Sequence, residues 1–298
     1  MRSLDFARDD RFGTYPTKWP KGGKGGAVGE GAGSPAGGRQ EEVAEARLTH
    51  LRMPEVVERG FEVAVFPVGS TEPHAYHLDY GTDTFAITGF AERAVEAANE
   101  RGARALLLPT LPISCNENVR KCPWAVSLQP RTLMDLVGDV VRTCERNGVR
   151  KVVIVNGHGG NTSVLQAAQR ELTSKCQSFV GMVEYWVLAH QVEEEIMESA
   201  ERGHACEMET SVMLHLAPEH VKMEEAKETK GRRPIFSGRA ITFVPYWHIY
   251  TRNTGLGDPT KATAEKGERM ISVAVEGFAE ALKELSEAPV DELFPYRD

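Results

Sequence analysis

The stretch Lys151-Val152-Val153-Ile154-Val155-Asn156-Gly157-His158-Gly159-Gly160-Asn161-Thr162 reads as a strand, a glycine turn and the start of a helix. Its run of β-branched residues suits a pleated, buried strand and is too short for a typical helix. Beyond the turn, Thr162 to Leu172 has helical spacing. Strand, turn and helix in that order are the unit of an α/β sheet, which gathers its ligands at the strand C-termini. His158 therefore stands at a strand end, where Gly159 and Gly160 let backbone N–H groups approach an anion or oxyanion closely. A turn needs the glycines but gains little from an imidazole, so His158 is read as a residue kept for chemistry.

Upstream, Glu62-Val63-Ala64-Val65-Phe66-Pro67-Val68 has the same strand character. The loop after it carries two histidines and three carboxylates between Pro67 and Thr84, among them Glu72, His74 and Asp83. A loop of that composition on a rigid strand suits metal-bound water chemistry. Thr82 or Asp83 is expected to cap the helix that follows, with Phe85, Phe90, Ala94, Ala97 and Ala98 at helical spacing and an end near Arg101-Gly102. A third cluster, His204-Ala205-Cys206-Glu207-Met208-Glu209-Thr210, opens a helix containing Val212, Met213, Leu214 and Leu216. The helix dipole favours first-turn glutamates anyway, so neither Glu207 nor Glu209 is diagnostic alone.

The rest of the chain alternates in the same way. Strands are predicted over 62–68, 103–108, 151–156 and 178–184. Helices are predicted over 84–101, 131–147 and 162–174, and near 189–200 and 207–216. A last helix runs from about Thr260 to Leu285, with Asp258 and Pro259 at its start and Val273, Val275, Phe278 and Leu282 on its buried side. This pattern predicts one α/β domain.

The three motifs in this order resemble those of the creatininase (creatinine amidohydrolase) family: a Glu-x-His loop ending in Gly-Thr-Asp, an Asn-Gly-His-Gly-Gly-Asn turn and a His-Ala-Gly-Glu-x-Glu-Thr segment. The likeness runs from about Leu51 to Leu285 and takes in a C-terminal signature from Gly257 to Gly267. It implies a three-layer α/β/α sandwich with a mostly parallel central sheet, and two divalent metal ions per subunit. Glu72, Asp83 and His158 would hold one ion, and His74 with a bridging Asp83 the other. Creatininase takes its remaining ligand from a Glu two places after the turn His, where this chain has Gly160. Glu207 is the expected replacement, as in family members with the Gly-Gly turn. The resemblance further implies hydrolysis by attack of metal-bound hydroxide, with His204 giving a proton to the leaving group and Glu209 assisting catalysis or orienting a ligand. It also implies a homo-oligomer, a hexamer built as a trimer of dimers. Mixed imidazole and carboxylate donors suit Zn²⁺, Mn²⁺ or Fe²⁺. Two such ions about 3.5–4 Å apart can share a hydroxide and polarise a carbonyl together.

Composition narrows the partners. At 298 residues and 41% hydrophobic content the chain can bury one large core, and its net charge of −8 offers no basic surface for nucleic acid or an anionic membrane. No apolar run approaches a membrane span, so a small-molecule substrate is expected. Five cysteines, an odd number without paired zinc-finger spacing, point to reduced thiols in a cytoplasm. The first residues lack the charged and apolar regions of a secretory signal. Residues 1–46 read as a Gly-rich arm or linker, with Phe12, Tyr15 and Trp19 as anchors, and 47–298 as the hydrolase domain.

Between Thr110 and Gln129 lies an expected active-site loop. Common family members carry Glu-His near Glu117-Asn118, Pro-Gly-Thr near Pro123 and Gln-His-Gly-Pro where this chain has Pro73-His74-Ala75-Tyr76. These departures spare the expected metal ligands and remodel the pocket wall, which points away from creatinine. Tyr76, Asn116, Glu117, Arg120 and Trp124, with Trp186 and Trp247, suit a polyol or heterocycle. Three readings follow. The first is a metal-dependent hydrolase of a C–N bond in a small cyclic amide or formamide. The second resembles an inositol-catabolic branch of the family and opens a cyclic diketone of the 3-dehydro-scyllo-inosose type at a C–C bond. The third is a non-catalytic metal-binding scaffold, against which the intact set Glu72, His74, Asp83, His158 and Glu207 argues.

Overall fold

The β-branched runs pair in parallel and bring two loops together. In the computed structural model, which describes residues 46–236 and 241–296, β1 (Val63–Val68), β2 (Ala105–Leu107), β3 (Lys151–Asn156) and β4 (Phe179–Glu184) form a sheet in the order β2-β1-β3-β4. The Gly-rich segment and its three aromatic residues lie outside the described residues. β1 and β3 run in register from Val63 beside Lys151 to Val68 beside Asn156. Their C-terminal ends are thus neighbours, so the loop carrying Glu72 and His74 starts beside the turn carrying His158.

The helices, in chain order, are α1 (Met53–Arg59), α2 (Thr82–Glu100), α3 (Pro130–Arg146), α4 (Thr162–Leu172), α5 (Tyr185–Leu188), α6 (His190–Ile196), α7 (Glu207–Leu216), α8 (Trp247–Tyr250) and α9 (Ala264–Glu287). Alternate strand residues face opposite ways. Val63, Val65, Val153 and Val155 pack with α2, α7 and α9 through Ile87, Phe90, Met213, Met270 and Phe278. Ala64, Phe66, Val68, Val152 and Ile154 pack with α3 and α4 through Leu133, Val137, Val141 and Leu165. Two cores on two faces of one sheet make the α/β/α sandwich. Each of the larger fully buried apolar side chains contributes about 1.5–3 kcal/mol.

Several local expectations are corrected. Gly81 precedes α2, while Thr82 and Asp83 sit inside its first turn. The Thr82 hydroxyl donates to the Asp79 carbonyl (2.7 Å), and the Asp83 carboxylate turns to two imidazoles instead of capping its own helix. The helix expected near 189–200 is α6, which ends at Ile196, and a short helix that was not expected, α5, precedes it. In α9, Val273 is 43% exposed, and the buried stripe is Met270, Ile271, Ala274, Phe278, Ala279 and Leu282. The Thr263 hydroxyl caps α9 by accepting from the Lys266 amide, and Asp258 caps the short 3₁₀ turn before it. A small antiparallel pair, β5 (Arg202–His204) with β6 (Leu256–Gly257), was not anticipated; it carries His204. Gly257 has φ +126°, and a Cβ there would lie 2.6 Å from the Glu201 carbonyl, so only glycine fits the pairing.

Candidate metal centre

Four elements meet at the C-terminal edge of β1 and β3. The β1 loop supplies Glu72 and His74, α2 supplies Asp83 from its first turn, the β3 turn supplies His158, and the β5–α7 segment supplies His204 and Glu209. Three triads each bring their donor atoms within 4.8 Å of one another: Glu72, Asp83 and His158; His74, Asp83 and Glu209; Glu72, His74 and His204. All six residues except the half-buried Glu209 are buried.

Asp83 joins the first two triads. Its Oδ1 lies 3.0 Å from His74 Nε2, and its Oδ2 lies 3.1 Å from His158 Nδ1, which is also 3.0 Å from Glu72 Oε1. The contacts of His158 are close but not aligned as hydrogen bonds, and Glu72 Oε1 and Asp83 Oδ2 remain buried without a hydrogen-bond partner. Buried carboxylate oxygens of that kind need a cation. The donor chemistry and the orphaned oxygens therefore fit divalent ions. The same carboxylates favour positive charge on the neighbouring imidazoles. Burial works against charge on His74, but the Asp83 carboxylate outweighs it and raises the imidazole to about 9. His158 is likewise raised, against burial, by Glu72 and Asp83. Asp83 is held well below the usual carboxylate range, since His74 and His158 overcome the burial that would lift it. Burial raises Glu209, only partly opposed by His204 and His74.

Both histidines outside the β3 turn are fixed by the backbone. His74 Nδ1 bonds to the Glu72 carbonyl (3.1 Å), and His204 Nε2 donates to the Pro73 carbonyl (2.9 Å). A carbonyl only accepts, so Nε2 carries a proton there and Nδ1 faces inward, 3.8 Å from Glu72 Oε1. Each histidine is followed by an alanine in left-handed backbone, Ala75 at φ +56° and Ala205 at φ +47°. The chain turns sharply away there, leaving the two rings beside each other with centroids 4.1 Å apart and planes tilted by 38°. Gly160 has a different reason: a Cβ on it would sit 2.3 Å from His158 Nε2, so the glycine admits the imidazole. Gly159 and Gly160 are exposed and open a 3₁₀ turn, leaving their amides without intrahelical acceptors.

Glu207 is not part of this cluster. Its carboxylate is buried and bound by Lys266 Nζ (2.5 Å) and by the Glu198 and Ser199 amides (3.1 and 2.7 Å). Residues two apart on a helix face nearly opposite ways, so α7 turns Glu209 inward and Glu207 toward α9. Glu207 thus ties α7, the loop after α6 and the start of α9 together. Removing one partner of a buried ion pair strands the other, so Glu207→Ala is expected to lower unfolding free energy by about 3–5 kcal/mol, read by urea denaturation.

The expected substrate groups divide. Asn116 is buried and donates to Ser70 Oγ (2.8 Å), the Thr71 carbonyl (3.2 Å) and the Val126 carbonyl (2.8 Å). It fastens the 110–129 loop to the end of β1 and has no free group for a ligand. Trp186 packs edge-on against Tyr185 and the core. Glu117 and Arg120 form an exposed pair 3.7 Å apart, and Tyr76 and Trp124 are exposed. Trp247 faces the site, its ring 5.1 Å from His204. One residue escaped the sequence reading. Thr254 donates to the Pro73 carbonyl (2.9 Å) and accepts from the Ala75 amide (3.2 Å), clamping the loop between Glu72 and Tyr76. Its only signal was its place just ahead of Gly257.

The model of the creatininase family, described as creatinine amidohydrolase, matches residues 49–282. The chain belongs to the creatininase family. Among characterised relatives, a mycofactocin precursor peptide peptidase of Mycolicibacterium smegmatis is 30% identical over 227 residues, covering 74% of this chain and 84% of that one. The creatinine amidohydrolase of Pseudomonas putida is 28% identical over 251 residues, covering 76% and 91%. A 3-dehydro-scyllo-inosose hydrolase of Thermotoga maritima is 25% identical over 250 residues, covering 78% and 75%. A Bacteroides fragilis structure described as a creatinine amidohydrolase matches with a TM-score of 0.75 at 30% identity, over 84% of this chain and 99% of that one. Creatininase structures described as Mn and Zn-Zn forms match with TM-scores of 0.66 and 0.65 at 26% identity, over 82% of this chain and 99% of each. The chain is a creatininase-family hydrolase with a buried cluster that fits metal. Among its described residues, no helix is long and apolar enough to cross a membrane.

Proposed function

We propose that this creatininase-family protein cleaves a C–N bond of an amide at a two-ion centre. Glu72, Asp83 and His158 would hold one ion, and His74, Asp83 and Glu209 the other, with Glu209 in the place expected for Glu207. The observation that carries the reading is Asp83, whose two oxygens address two different donor sets at 3.0 and 3.1 Å. When bound, such ions supply a water activated near neutral pH and a polarised carbonyl.

The chain's own residues do the rest. Asp83 and Glu72 present anionic oxygens fixed by the sheet ends, so the centre is set without reorganisation during reaction. His204 is held by the Pro73 carbonyl with Nδ1 toward the cluster, the position for moving a proton to a departing amine. The amides of Gly159 and Gly160 lie at the exposed mouth, open to a developing oxyanion. The Trp247 ring lies 5.1 Å from that of His204.

Opening of a cyclic diketone at a C–C bond is the second reading, favoured by the inosose hydrolase among the relatives. The full chain loaded with Zn²⁺ or Mn²⁺ should be assayed against cyclic amides, formamides, short peptides and inosose-type diketones. Turnover of an amide with none of the diketone supports the C–N reading, and the reverse overturns it.

A further inference from the structure

Beside the metal centre lies a groove of about 640 Å³ whose charge opposes that of the chain. Four cations line it, Lys227, Lys230, Arg232 and Arg252, against one carboxylate, Glu228, in a protein of net charge −8. Glu228 is paired with Lys230 at 3.1 Å. Lys227, Arg232 and Arg252 form no ion pair among the described residues.

The groove is built, not a chance meeting of surface side chains. Its two walls are joined by backbone hydrogen bonds from the Arg232 amide to the Tyr250 carbonyl (2.8 Å), and between Thr229 and Gly257 in both directions (2.8 and 2.9 Å). A Cβ at Gly231 would come 2.4 Å from the Tyr250 ring, so glycine lets this wall close against the aromatic ring. The groove also adjoins the reacting centre. Tyr76, on its wall, is two residues beyond His74. Tyr250, on the opposite wall, touches Trp247 with centroids 5.5 Å apart, and Trp247 in turn lies 5.1 Å from His204. Its volume lies in the range of small-ligand sites, about 300–1,000 Å³.

Unpaired guanidinium groups in a groove take planar anions by two parallel N–H···O bonds. We infer that the groove binds a carboxylate of the substrate, set apart from the scissile bond by the width of the Tyr250–Trp247 aromatic wall. This rests on the amide-hydrolase reading and gives it a substrate class: an acyclic amide with a distal free carboxylate, such as the end of a peptide. A small neutral ring seated at the metal centre has no group to reach these cations.

The test uses the metal-loaded full chain and two fluorescently labelled short peptides, one with a free C-terminal carboxylate and one with a C-terminal carboxamide. Binding is read by anisotropy and hydrolysis by product release. The carboxylate peptide should bind about tenfold more tightly or better. Arg232→Gln and Arg252→Gln should each remove about that factor for it alone, with metal content, unfolding temperature and carboxamide binding unchanged. Salt should weaken only the carboxylate peptide. Equal binding of the two peptides, or equal loss of both in the variants, overturns the inference. Displacement by inorganic phosphate at much lower concentration than by acetate overturns the carboxylate assignment in favour of a phosphate group. Tight, arginine-dependent binding of the carboxylate peptide without hydrolysis supports the groove and counts against the amide reading. Hydrolysis of both peptides with equal binding does the opposite.

Discussion

Asp83→Ala is expected to yield a folded protein almost free of metal. Elemental analysis after loading and desalting should find about two equivalents in the parent chain and close to none in the variant. Asp83 is the residue common to the two triads, with one oxygen toward His74 and the other toward His158 and Glu72. Its loss would take a donor from each of the two sets that would hold the ions. His158→Ala should mainly empty one position and His74→Ala the other. Hydrolysis should fall with the metal. Ions of this kind supply several kcal/mol of transition-state stabilisation, so the loss in Asp83→Ala is on the order of 10³–10⁵-fold. Retention of two full equivalents would sink the bridging role.

The second large effect belongs to His204. His204→Asn is expected to keep its metals and lower kcat by roughly 10²–10⁴, the usual contribution of a positioned general acid or base. The reason is directional. Its Nε2 is committed to the Pro73 carbonyl, so Nδ1 is the atom offered to the site. The loss should shrink for substrates with better leaving groups, which need less protonation. His204 also stands in a triad with Glu72 and His74, so loss of one metal equivalent in His204→Asn would make it a ligand instead. Unchanged turnover would remove it from the mechanism.

How far the sequence could be read depended on whether the deciding partner was local. The β-branched runs gave β1 and β3 because strand preference and length are carried by neighbouring residues, and the positions of Glu72, His74 and His158 after those strands followed. The register that sets Val68 beside Asn156 is a long-range pairing, and only the ordered motifs pointed to it. The sequence reading placed Glu207 in the ligand set and Glu209 outside it, and the structure brings Glu209 to the cluster instead. Both lie in the first turn of α7, where the dipole welcomes either, and the choice is made by Lys266, far along the chain on α9. Asn116 read as a polar group for a ligand because its partners, Ser70, Thr71 and Val126, come from a strand end and a loop that sequence does not bring together. Val273 fits a helical stripe on spacing alone, yet α9 is rotated so that Met270, Ile271 and Ala274 meet the sheet side. Thr254 acts through Pro73 and Ala75, across most of the chain's length.

The central claim is that the second donor set closes on Glu209 and not on Glu207. Metal content of Glu209→Gln and Glu207→Gln, measured side by side after loading with Zn²⁺ or Mn²⁺, tests it directly. The account predicts that Glu209→Gln keeps about one equivalent. Glu207→Gln should keep both and unfold at lower urea concentration, because its carboxylate serves Lys266 and the Glu198 and Ser199 amides. Two equivalents in Glu209→Gln together with one in Glu207→Gln would contradict it.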